Sequence, residues 1–137
     1  MKRLVIAIVA LVALEGLFWV FLGGVSWVFR DFSIGPPRTS AYIASETRIA
    51  ILEFGWAAIH VLAIVAFLLR RTGLVFWVVV GVQVLDLIRT GFLTAGTVSQ
   101  SEWSQTVFGL VAAAGPLATL TLLFLLGQRM APSRVVA

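Results

Sequence analysis

Four apolar runs, each close to the length that crosses a bilayer, dominate this sequence. A helix needs about 20 predominantly apolar residues to span the hydrocarbon core. The runs extend from Leu4 to about Phe29, from Ile49 to Leu69, from Leu74 to Leu93 and from Val107 to Leu126. They predict an all-α integral membrane protein, a four-helix transmembrane bundle that forms one domain over residues 1–137. Composition agrees: 61% of residues are hydrophobic and only 12% charged, about half the charge of an ordinary soluble domain. A water-soluble fold this small leaves much of its surface exposed and has nowhere to hide so much apolar side chain.

The first run follows Met1, Lys2 and Arg3, as a secretory signal would. Its apolar stretch is too long for a signal and carries Glu15 at its centre, so it reads as a retained span. Orientation follows from the basic residues. Lys2, Arg3, the Arg70-Arg71 turn, Arg129 and Arg134 fall on one side. The other side has Arg30, Arg38 and Arg48 in its first loop and none in its second. Both termini are therefore expected in the cytoplasm, and the membrane is expected to be the plasma membrane of a bacterium or archaeon. In the first outer loop, Gly35-Pro36-Pro37 imposes an extended or turned backbone, and Thr39-Ser40 can cap a helix beginning near Ala41. Ser101, Ser104 and Gln105 offer similar groups in the second.

Several function classes fall away. The net charge is +4, but the basic residues stand in ones and twos at the ends of apolar runs, so no nucleic-acid partner is expected. The absence of cysteine removes disulfides and thiolate chemistry. A single histidine rules out bis-histidine haem and argues against structural zinc, so no cofactor and no metal site is expected.

Helix association in lipid depends on close packing and polar contacts. Small residues at Ala7, Ala10 and Ala13, at Gly91 and Ala95, and at Gly109 and Ala113 are candidates for the close approaches. Pro116 should bend the fourth span. Trp27, Trp77 and Trp103 sit where aromatic belts form, whereas Trp19 and Trp56 lie deeper.

The polar residues at membrane depth carry the functional signal. An ionised side chain at the bilayer centre costs about 2.5–3.5 kcal/mol on insertion scales. Glu15, Glu53, His60, Asp86 and Arg89 are spread over three spans and should meet in the interior; they are the candidate catalytic residues. Trp19, Trp56, Gln83 and Thr90 share their helical faces and are the candidate ligand contacts. On α-helical spacing, Tyr42, Glu46, Glu53, Trp56 and His60 form one stripe. The fourth span has no ionisable residue and reads as a wall. The polar set is expected to line a cavity opening toward the outer leaflet or the outer aqueous face, where Glu46 and Arg48 could stand at its mouth. Ordinary readings stand beside these: an Asp86–Arg89 pair three residues apart can neutralise itself, His60 can serve as a helix–helix hydrogen bond, and the two tryptophans can be packing.

Three functions fit. The first is a membrane enzyme that isomerises, cyclises or opens an epoxide on a lipophilic substrate by acid–base chemistry. Membrane sterol isomerases are similar in kind, bundles with acids near aromatic rings, though no motif of theirs is present. The second is a proton-coupled transporter: four short spans with a glutamate in the first resemble small multidrug exporters, again without a matching motif around Glu15. The third is a non-catalytic subunit of a larger complex. Expected partners are membrane lipid, a hydrophobic small molecule, and a second copy or other chains.

Overall fold

The computed structural model of the chain describes residues 2–32, 37–69, 73–99 and 103–130. These form four α-helices: α1 (Lys2–Asp31), α2 (Ser40–Leu69), α3 (Gly73–Ser99) and α4 (Trp103–Met130). Each contains a segment long and apolar enough to cross a membrane. The helices overrun the apolar runs that announce them, most of all α2, which begins nine residues before Ile49. Its start is set by Thr39, whose Oγ1 accepts from the Tyr42 amide at 3.1 Å while its carbonyl accepts from Ile43 at 3.0 Å. That is an N-cap, and it draws the polar segment through Arg48 into the helix. Gly35-Pro36, Arg70-Arg71, Ser101 and Arg134 lie outside the described residues, as do the side chains of Trp103, Ser104 and Gln105.

The helices form a ring in chain order. α1 packs most closely on α2, α3 on α4, α4 closes back onto α1, and the diagonal pairs make no close backbone contact. Neighbours run antiparallel: Tyr42 at the start of α2 hydrogen-bonds the Phe29 carbonyl near the end of α1. Phe76 at the start of α3 lies against Gly127 near the end of α4.

One end of the ring is sealed by an apolar cluster in which Val5, Ile8 and Val12 meet Phe67, Val79 and Leu123. The outer surface is apolar as well. Leu14, Phe21, Leu62, Trp77, Phe92 and Phe124 are each more than 60% exposed. Helices this apolar on their outward faces suit hydrocarbon as their surroundings and not water.

Glycines make the close approaches, though only one lies where the small-residue stripes place it. A Cβ on Gly16 would stand 3.2 Å from the His60 Cβ, so this glycine lets α1 reach α2 at the level of the buried polar groups. Gly109 does pack, against Thr94. Gly91 has open space beside it and Ala95 is exposed, so that expected stripe supports no contact among the described residues. Ala10 is likewise exposed. α4 continues through Pro116, which is fully buried.

Candidate functional site

Midway along the ring, Glu15 of α1, His60 of α2 and Asp86 of α3 converge. All three are buried, with His60 at 0% and Asp86 at 2% exposure. The His60 Nε2 lies 3.2 Å from Asp86 Oδ2 and 3.6 Å from Glu15 Oε2. These are charge-contact distances, but the first lacks the alignment of a hydrogen bond and the second is too long for one; among the described residues Nε2 and Oε2 are both without a hydrogen-bond partner.

Each of the three is held from behind. The ring Nδ1 of His60 lies 3.0 Å from the Trp56 carbonyl on the same helix. A carbonyl can only accept, so Nδ1 carries the hydrogen and Nε2 is left to face the carboxylates. Asp86 accepts from two indoles, Trp56 Nε1 at 2.7 Å and Trp19 Nε1 at 3.2 Å. Glu15 Oε1 accepts from the Thr119 hydroxyl at 2.9 Å. The deep tryptophans are therefore the donors that fix Asp86, a role that unites their depth with their one polar atom.

Beyond this cluster lies a second, looser one. Arg89 stacks 4.1 Å above the Trp19 ring and 5.9 Å from that of Trp56, and its Nη2 is 3.9 Å from Glu53 Oε1. Glu53 Oε2 has no partner. The expected Asp86–Arg89 pair does not form: among the described residues Asp86 is taken by the indoles and His60, and Arg89 turns to Trp19 and Glu53. Spacing along one helix favoured the pair, but partners on α1 and α2 take both side chains. Gln83 is fully buried, and among the described residues neither of its amide atoms has a hydrogen-bond partner. Thr90 is buried and its carbonyl accepts from the Thr94 hydroxyl.

A cavity of about 230 Å³ opens between α1 and α4, with Glu15 and Asp86 on its wall among Leu14, Phe18, Trp19 and Phe108. Glu46 and Arg48, expected at the cavity mouth, do not line it. Glu46 is half-buried and Arg48 exposed. Two features of α4 shape it. Gly115 lines the cavity, and a Cβ there would stand 3.1 Å from Glu15 Oε1 and 3.2 Å from its Cγ. Pro116 has no N–H to give to the carbonyl of Ala112, another lining residue.

α4 is thus more than the inert wall it resembles in sequence. Thr119 is a site residue that sequence reasoning missed. It stands in an apolar run two residues from Thr121, whose hydroxyl merely donates to the Leu117 carbonyl of its own helix. Only the face distinguishes the two threonines. The chain matches no protein-family model, and no curated protein or solved structure is significantly similar to it.

Proposed function

We propose that the chain is an integral membrane protein with both termini on the cytoplasmic side. In this reading it takes up a lipophilic small molecule between α1 and α4 and acts on that molecule's polar group by acid–base chemistry. The observation that carries the reading is the cavity itself, an apolar and aromatic pocket whose polar wall consists of two buried carboxylates sharing one histidine. Carboxylates held in a low-dielectric interior are costly and mark functional sites by default.

The chemistry suits the geometry. Glu15, fixed through Oε1 by Thr119, points Oε2 inward without a partner. Asp86 is held by two indole donors on the same wall. Isomerisation or cyclisation needs a proton added at one atom and removed at another, and epoxide opening needs an acid at the ring oxygen. Two acidic groups facing one pocket, joined through the His60 Nε2, meet either need. Leu11, Leu14, Phe18 and Phe108 would hold the apolar body. An apolar cavity of roughly 150 Å³ can bind benzene, so this one, at about 230 Å³, takes a somewhat larger molecule.

The test is mass spectrometry of small molecules extracted from the gently purified protein. The wild type should retain a specific hydrophobic compound. Glu15→Gln should alter or lose it, and so should Val111→Trp, which places a bulky ring at the cavity entrance, while both variants remain monodisperse. Bulk phospholipid alone in all three samples would defeat the proposal and favour a role as a subunit of a larger complex.

A further inference from the structure

Glu15, His60 and Asp86 come from three helices, yet the atoms they turn toward one another all lie within 4.8 Å. The other polar atom of each is engaged elsewhere: His60 Nδ1 by the Trp56 carbonyl, Glu15 Oε1 by Thr119, and Asp86 Oδ1 by Trp56. A ligating histidine characteristically donates its second ring N–H to a carbonyl or carboxylate, and ligating carboxylates are hydrogen-bonded in turn. The inward atoms, His60 Nε2 and Glu15 Oε2, have no hydrogen-bond partner among the described residues although both residues are more than nine-tenths buried.

We propose that Glu15, His60 and Asp86 form a divalent transition-metal site, with a coordination position open to the cavity between α1 and α4. Distances favour it. Ligand atoms about 2.0–2.2 Å from a single zinc ion stand roughly 3–3.6 Å apart. The His60–Asp86 and His60–Glu15 separations are 3.2 and 3.6 Å. Electrostatics favours it too. A proton bridging His60 to Asp86, whose Oδ2 also accepts from Trp19, leaves Glu15 Oε2 without a partner, whereas a dication engages all three groups and compensates both buried carboxylates. One imidazole nitrogen and two carboxylate oxygens suit Zn²⁺, Mn²⁺ or Fe²⁺ and not thiophilic Cu(I).

This departs from the sequence expectation of no metal. A lone histidine looks insufficient in one dimension because its co-ligands sit 45 residues before it and 26 after it, on other helices. The inference stands on the cluster geometry and not on the lipophilic-ligand reading. Where both hold, the ion is the acid at the pocket wall, and the molecule carries an oxygen function, such as a carbonyl, hydroxyl or epoxide, that can reach it.

The experiment uses the full chain in mild detergent, stripped with a chelator, equilibrated with micromolar Zn²⁺ and desalted. Zinc is then measured by elemental mass spectrometry, and Co²⁺ loading is followed by visible absorption. Wild type and Glu46→Gln should hold about one zinc per chain, while Glu15→Gln and His60→Gln lose at least tenfold in affinity, because each removes a direct ligand and even supporting partners typically contribute 10–100-fold. Both variants should elute as the wild type does, so that loss of metal is not loss of fold. Cobalt bands in the wild type that vanish in His60→Gln would show direct ligation. A wild type holding no more zinc than Glu15→Gln, or a His60→Gln variant that keeps its zinc, would overturn the site. Neither result depends on whether an organic molecule copurifies.

Discussion

At the scale of single residues, the site is a set of polar atoms each aimed by a neighbour. Glu15 depends on Thr119, Asp86 on two indoles and His60 on a backbone carbonyl. Thr119→Val keeps the shape and removes the hydroxyl, leaving a buried carboxylate oxygen without its donor, which costs about 1–3 kcal/mol. Thr121→Val removes a hydroxyl that serves only its own exposed helix face, and surface changes of that kind fall within about 0.5 kcal/mol. Thermal unfolding in detergent should therefore separate the two, with a lowered midpoint for Thr119→Val alone. Sequence pointed to the convergence of Glu15, His60 and Asp86, because charges at membrane depth on separate helices must find one another. It did not reveal how they are held. The hydroxyl of Thr119 and the indole nitrogens of Trp19 and Trp56 belong to residue types that apolar helices also use as filling, and only the assembled faces show which atoms meet.

At the scale of the helix, hydropathy located all four elements but not their ends. The first half-turns of α2 carry Tyr42, Glu46, Thr47 and Arg48, polar enough to read as loop, and the Thr39 cap is a better guide to the start than apolar content. Packing was legible in kind and misplaced in position. Small residues do set the helix approaches, but Gly16 serves α1 against α2 while Gly91 faces open space. Periodicity finds glycines without saying which face has a neighbour. Gly16→Ala should wedge α1 from α2 beside His60 and destabilise by about 1–3 kcal/mol, as overpacking does. Gly91→Ala meets nothing and should gain about 0.5–1 kcal/mol from helix propensity. Midpoints that shift in the same direction for both would mean that the α1–α2 contact is not as close as the structure has it.

At the scale of the whole molecule, the bundle is closed at one end by the Val5–Ile8–Phe67–Leu123 cluster and presents apolar side chains on its flanks. Its site is reached from the side, between α1 and α4. The proposed topology places the α1–α2 connection outside. The chain contains no cysteine, so single introduced thiols report sidedness cleanly. Arg38→Cys should react with a membrane-impermeant maleimide on intact cells, and Arg3→Cys only after permeabilisation; the reverse pattern would invert the topology. The account's central claim is that Glu15 lies in a buried pocket reached from lipid. Carbodiimides, which add to carboxyl groups, test it most directly when applied to chelator-treated membranes and followed by peptide mass spectrometry. Dicyclohexylcarbodiimide, which partitions into lipid, should modify Glu15, more slowly in Val111→Trp, while a water-soluble carbodiimide leaves it untouched. Modification by the water-soluble reagent, or a Glu15 inert to both, would contradict a lipid-facing pocket at the centre of this bundle.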